Sequence, residues 1–318
     1  MTNPIRLFFA TDIHGSTRCF KKFLNAGKYY NADVLILGGD ITGKTMIPIV
    51  TAKSGSASAY RNGKIVKLGS FSEIEEFERD VENGGSYFCR CTFEEREQLE
   101  HAASARDALF NSLIEARMRE WVALADQRLR NSNVRVFFNA GNDDIFSIDP
   151  IIDSSKVLVR PEGKCVEISD SCTMIATGFA NKTPFDCPRD VPEEVLTAKI
   201  DQMVALVPDF ARCIFNFHCP PFDSQLDSAL AIDAEFRPRM TALGIDCTPV
   251  GSTAVRTAIE QYQPVLGLHG HIHESRGATQ IGRTLCLNPG SDYQDGVLHG
   301  ACVDLNDNSV VRYTFITG

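Results

Sequence analysis

The stretch Leu266-Gly267-Leu268-His269-Gly270-His271-Ile272-His273 constrains this chain more than any other. It is an apolar run that ends in histidine at every second position. An extended backbone sends alternate side chains to one side, so a strand that persists to its end would present His269, His271 and His273 on one face. The chain has 7 histidines, and three of them stand here. A buried strand that delivers imidazoles to one place needs partner groups from elsewhere.

Four further segments carry the same design. Ile5–Ala10 is apolar and runs into Thr11-Asp12-Ile13-His14-Gly15-Ser16, with Ser16 or Thr17 placed to cap a helix whose inward stripe is Phe20, Phe23 and Leu24. Asp33–Leu37 ends in Gly38-Gly39-Asp40, and Val134–Phe138 ends in Asn139-Ala140-Gly141-Asn142-Asp143-Asp144. Ala211–Phe217 ends in His218, followed by Cys219-Pro220-Pro221, which stops any helix there. Open α/β sheets place their ligands at the C-terminal ends of strands. Asp12, His14, Asp40, Asn142, His218, His271 and His273 all stand there.

Seven oxygen and imidazole donors without a thiolate suit Mn²⁺, Fe or Zn²⁺. With one carboxylate shared they make two adjacent sites. Two metals about 3.5 to 4 Å apart would clamp a bridging water, lower its pKa and orient a phosphoryl group for in-line attack.

Composition limits the alternatives. A chain of 318 residues with 43% hydrophobic content can bury a large core. A net charge of -9 argues against an extended nucleic-acid surface but leaves room for a local cationic site that takes one phosphate group, and it leaves oligomeric state open. Nothing near Met1–Arg6 reads as a signal peptide and no segment approaches the roughly 20 apolar residues of a membrane span, so the expected compartment is the cytoplasm. The 11 cysteines are scattered, and Cys89 with Cys91 lacks the second pair that a zinc site needs.

Between the strands, residues 44–92 break the strand-helix rhythm and read as an insertion, lid-like or on the surface, in an otherwise single domain spanning 1–318. Residues 51–63 suggest a loop or hairpin, and Ser72 with Glu75 a capping box opening a helix that stops at Gly84-Gly85. Thr92 with Glu95 suggests another box, opening one long helix or two with a break, with Trp121 as core. Thr183–Pro192 reads as loop, and residues 222–250 as irregular.

The ordered set Asp12-Ile13-His14, Gly38-Gly39-Asp40, Gly141-Asn142-Asp143, His218 and Gly270-His271-Ile272-His273 resembles the calcineurin-like metallophosphoesterases. The resemblance reaches from Asp12 to the turn at Asn288-Pro289-Gly290-Ser291. It implies an α/β fold in four layers, a sandwich of two mixed β-sheets flanked by helices. It also implies that Asp12, His14 and His273 bind one metal, that Asn142, His218 and His271 bind the other, and that Asp40 bridges them, with His269 supporting a ligand or a carboxylate. The cofactors would be two divalent ions, Mn²⁺ foremost.

Many members of that family carry histidine directly after the asparagine, and this chain has Asp143, followed by Asp144. Protonation of a poor leaving group is what that imidazole would serve, and a general acid contributes about 10² to 10⁴ in rate. Related members without it look more like phosphodiesterases, so the expected activity is diester hydrolysis through the metal-bridging hydroxide. Asn142, Asp143 and Asp144 are the candidate reacting residues, with Asp143 or a metal-bound water as proton donor. Arg18, Lys44, Arg160 and Arg189 are candidates for a charge clamp on the substrate. A phosphomonoesterase, a pyrophosphohydrolase and a non-catalytic scaffold are the alternatives.

Overall fold

Alternation along the first two strands decides the architecture. In Ile5–Ala10, Leu7 and Phe9 turn to one side while Phe8 and Ala10 turn to the other. Val34–Leu37 divides in the same way, Val34 and Ile36 against Leu35 and Leu37. A strand apolar on both faces must be covered on both. The computed structural model, which describes residues 4–318 except 54, 234, 236, 242, 243 and 307, shows what covers them. The expectations made at those positions, within the first residues and within 51–63 and 222–250, lie outside the described residues.

The first sheet has the order Ser309–Thr317, His299–Asn306, Ile5–Ala10, Val34–Leu37, Arg135–Phe138 and Leu158–Val159. Its last four strands are parallel and the first two join antiparallel. A second sheet has the order Gly277–Ile281, Thr284–Asn288, Leu266–Leu268, Cys213–Phe217, Cys172–Thr177 and Cys165–Ser169. Its four middle strands are parallel and both edges antiparallel.

Between the sheets lies a core in which Leu7, Phe9 and Ile36 meet Met174, Ile214, Leu266 and Leu268. Outside the first sheet, helices Thr17–Tyr29 and Ala103–Leu129 cover Phe8 and Leu35, with Trp121 stacked on Phe20 at 4.2 Å. Outside the second, Glu193–Val204 and Thr253–Tyr262 cover Phe215 and Phe217. The expected four layers are therefore present. Among the described residues, no helix is long and apolar enough to cross a membrane.

The stretch from Met46 to Cys91 forms its own four-stranded sheet, Met46–Thr51, Ala57–Arg61, Lys64–Leu68 and Tyr87–Cys91. Helix Phe71–Asn83 covers it through Ile74, Phe77 and Val81. That helix starts two residues before the expected box, because Ser70 accepts from the Glu73 N–H and the Glu73 carboxylate reaches back to the Gly69 N–H. The box at Thr92 and Glu95 is formed, and the following helical stretch is two helices, Phe93–His101 and Ala103–Leu129, broken at Ala102.

Candidate metal centre

The C-terminal ends of the parallel strands in both sheets open into one crevice, and the expected residues stand along it. Four of them hold unusual backbone: φ is +53° at Asp12, +36° at His14, +48° at Asp40 and +69° at His271. Few residues other than glycine occupy this region, and each instance costs on the order of 1–3 kcal/mol. The loops offset the cost by binding one another. Asp12 N–H donates to Gly39 O at 2.9 Å, His14 N–H to Asp40 O at 3.0 Å, and Ser291 Oγ to Asp12 O at 2.6 Å.

The histidine segment arrives differently from expectation. Its strand ends at Leu268, and the left-handed turn at His271 breaks the alternation. His269 turns inward, its Nδ1 2.8 Å from Phe217 O, so it ties this strand to the backbone just before His218, and its Nε2 has no hydrogen-bond partner among the described residues. The His271 N–H points at both oxygens of Asp12, 3.1 Å from each. Asn288 holds the turn through its Nδ2, which donates to Ile272 O at 2.9 Å.

Donor atoms converge in two groups. Asp12, His14 and His273 form one, and Asp40, His218 and His271 the other, each with donors within 4.8 Å of one another. His14 Nε2 lies 3.0 Å from His273 Nε2, and His273 Nε2 3.4 Å from Asp12 Oδ1. His218 Nε2 lies 3.3 Å from Asp40 Oδ1, and His271 Nδ1 2.9 Å from Asn142 Oδ1. Ligands about 2.1 Å from an ion are separated by about 3.0 to 3.4 Å along the edges of its coordination shell, so these spacings fit one. Asp40 stands between the groups, its Oδ2 3.6 Å from His14 Nε2. Glycine is required beside it, because a side chain at Gly39 would run into the His218 ring.

The electrostatics suit cations. Burial lowers His14 to about 3 and His271 to about 4, so both rings are neutral and offer lone pairs. Burial is the largest influence and would raise the Asp12 and Asp40 carboxyls, but His218 together with His273 at Asp12, and His218 together with His14 and Lys44 at Asp40, outweigh it and both stay ionised. Burial alone would lower His218, but Asp40 and Asp12 push it up to about 9. Both His218 nitrogens are buried without a hydrogen-bond partner. The carboxylates that draw a proton onto this ring would hold a dication in its place, and the residues therefore fit a pair of metal ions. Cys89 and Cys91 join no such group among the described residues.

Asp143 and Asp144 part company. Asp143 borders the crevice: its carboxylate lies within 4.8 Å of donors on His14 and Asp40, forms an ion pair with Lys44, and accepts from Cys187 Sγ at 2.7 Å. Burial and the charge on Asp40 raise its pKa, against Lys44, which lowers it. Asp144 does not fit the expectation that it reacts. Wholly buried, it accepts from the N–H groups of Ile41, Thr42 and Gly141 and from Thr42 Oγ1, at 2.6 to 3.0 Å. It binds the Asp40 loop to the Asn142 loop.

Of the four clamp candidates only Lys44 reaches the crevice. Arg189 is buried against Asp149 and the carbonyl of Asp144, and Arg160 pairs with Asp149 and Asp153. Arg18 lies against Gly296.

No family model matches the chain. An uncharacterized protein of Methanocaldococcus jannaschii is 27% identical over 151 residues, which is 47% of this chain and 61% of that protein. Two solved structures superpose along nearly the whole length. One is 15% identical with a TM-score of 0.55, covering 98% of each chain. The other, from Thermus thermophilus, is 13% identical with a TM-score of 0.54, covering 100% of this chain and 99% of its own. A dimetal phosphatase from Danio rerio covers 99% of each chain at 10% identity with a TM-score of 0.44. The first two share this chain's fold, two mixed β-sheets face to face with helices outside.

Within this frame one residue at the centre escaped the reading of the sequence. Asn142 Nδ2 donates to Asp190 Oδ1 at 2.9 Å, and the other Asp190 oxygen accepts from Thr183 Oγ1 at 2.5 Å and from the N–H groups of Thr183 and Cys187. Asp190 thereby fixes which end of the Asn142 amide faces His271. Tyr293 was also missed: its ring packs on His14 at 4.7 Å and stands edge-on to His273 at 5.9 Å. Neither follows an apolar strand, which was the signal that found the others.

Proposed function

We propose that this calcineurin-like chain is a dinuclear metal-dependent phosphoesterase acting on small phosphodiesters in the cytoplasm, a single domain that carries residues 44–92 as an insertion. The observation that carries this is the pair of donor groups meeting at Asp40. Asp12, His14 and His273 would hold one ion, Asn142, His218 and His271 the other, and Asp40 both. An oxygen and imidazole set of this kind suits Mn²⁺. When bound, two such ions lower the pKa of a water and polarise the phosphoryl oxygens.

The chain's own residues then do the rest. Lys44 places a cation at the crevice edge where phosphoryl charge must be met, and Asp143 fixes that cation through their ion pair. Asp143 is also the carboxyl placed to deliver a proton: burial and Asp40 raise its pKa, and Lys44 and Cys187 oppose them. A carboxyl so engaged is a weaker substitute for an imidazole, which favours diesters with good leaving groups over monoesters. Asn142, held by Asp190, keeps its carbonyl oxygen toward the crevice.

Metal analysis and assays on bis(p-nitrophenyl) phosphate and p-nitrophenyl phosphate with Mn²⁺ test the reading. Two ions per chain and faster turnover of the diester are expected. Fewer than two ions with no Mn²⁺-stimulated hydrolysis would favour a scaffold, and preference for the monoester a phosphomonoesterase.

A further inference from the structure

A hollow of about 410 Å³ adjoins the centre on the side of His14 and His273. Lys44, which pairs with Asp143, and Tyr293, whose ring packs on both histidines, also line the hollow, so a group extending from the crevice past these two side chains would enter it. Its walls come from two loops: the Tyr60-Arg61-Asn62 turn of the inserted sheet, and the Tyr293–Asp295 turn. Gly85 forms part of the floor, and a side chain there would press on the Tyr293 ring and on His14 O. A volume of this order suits the leaving-group half of a small ester.

The lining has a definite chemistry. Arg61 lies 5.7 Å over the Phe77 ring and donates only to the backbone carbonyl of Asp80, at 3.3 Å; among the described residues no carboxylate pairs with it. Lys44 adds a second cation, and Asp295 is the single carboxylate in the lining. Tyr60 is 66% exposed at the rim, with no ring packed on it among the described residues. A smaller hollow of about 180 Å³ adjoins and shares Arg61, Gly84, Gln294 and Asp295. Arg18 lines that second hollow, and among the described residues it too has no ion-pair partner. A chain with a net charge of -9 has carboxylates in excess, yet among the described residues Arg61, and Arg18 in the smaller hollow beside Asp80 and Asp295, form no ion pair.

We propose that this hollow is the leaving-group subsite, and that Arg61 selects phosphoesters whose leaving group carries an anion of its own. The inference rests on the phosphoesterase reading above. Its substrates would be esters with a carboxylate or second phosphate on the departing side, the ring or chain between them lying along Tyr60 and Tyr293. Arg61 binds and positions that group; it takes no part in bond breaking.

The test compares methyl p-nitrophenyl phosphate with its analogue carrying a carboxylate on the nitrophenyl ring, under Mn²⁺. A charge-assisted hydrogen bond supports a preference of about tenfold or more in kcat/KM for the carboxylated ester. Arg61→Met should bring the ratio between the two substrates close to unity, Arg61→Lys should keep part of it, and Tyr60→Ala should raise KM for both aryl esters. No preference in the parent protein, or an equal loss on both esters in Arg61→Met, would overturn the proposal. Should neither ester be hydrolysed, the phosphoesterase reading is what fails. Calorimetric binding of phenylphosphonate against carboxyphenylphosphonate then decides the subsite by itself: it stands if the second binds more tightly and Arg61→Met removes the difference, and falls if the two bind alike.

Discussion

The two halves of the centre differ in exposure and in how their donors are backed. The half made by Asp12, His14 and His273 stands at the mouth of the crevice, with the His273 side chain 28% exposed and Tyr293 as its outer wall. The half made by Asn142, His218 and His271 lies deeper, where a chain of side chains runs from His271 through Asn142 and Asp190 to Thr183. Left-handed backbone occurs in both halves, at Asp12 and His14 in the outer and at His271 in the inner, and only the inner half adds a relay of side-chain hydrogen bonds behind its donors. On the proposed reading the outer half would be the one to exchange its ion and meet substrate.

Asp40 belongs to both halves, so its loss is the most severe test. Asp40→Asn removes the charge they share and should lower diester turnover by about 10³-fold or more, in line with the several kcal/mol that metal chemistry supplies, with both ions weakened together. Metal analysis showing one ion retained at full affinity would break the claim that this carboxylate is shared.

Separating the halves comes next. His273→Ala should release the outer ion and leave the inner one, and His271→Ala should do the reverse, each variant keeping about one of the two ions. Metal counting on both variants, with circular dichroism to confirm folding, checks this. Loss of both ions from either variant would mean that the halves are a single cooperative unit. Within the inner half, Asp190→Ala leaves the Asn142 amide free to turn. Removing such a supporting carboxylate costs about 10–100-fold in metal affinity. The weakening should fall on the inner ion, and titration with Mn²⁺ that finds the outer ion equally affected would dissolve the distinction.

The sequence was readable where a strand places its successor. Asp12, Asp40, Asn142 and His218 follow short apolar runs, and a parallel strand can only deliver them to its C-terminal end. The four layers were implied by the resemblance, and the structure shows why these runs accept them: Leu7 and Phe9 cannot share a side with Phe8 and Ala10. Reading failed where a contact depends on a loop's path. Asp190 lies 48 residues beyond Asn142, in a stretch without periodicity. Alternation overstated the order at His269–His271, since the strand had already ended and His271 turned left-handed. Asp144 looked like a reacting carboxylate because spacing does not reveal which way a side chain points; four donors in the structure do.

Asp143 lies where the outer half meets Asp40, and its substitution should have the smallest effect. Asp143→Asn keeps the shape but removes both the proton and the charge that holds Lys44, so turnover of a diester with an activated leaving group should fall several-fold. Asp143→His offers an imidazole where the carboxyl stood. It should narrow the gap between activated and unactivated leaving groups, because a proton donor matters most when the departing oxygen is poor. A plot of log kcat against leaving-group pKa for the parent and both variants reads this directly. Three parallel lines of equal height would remove Asp143 from the mechanism and leave Lys44 as the group that serves the departing oxygen.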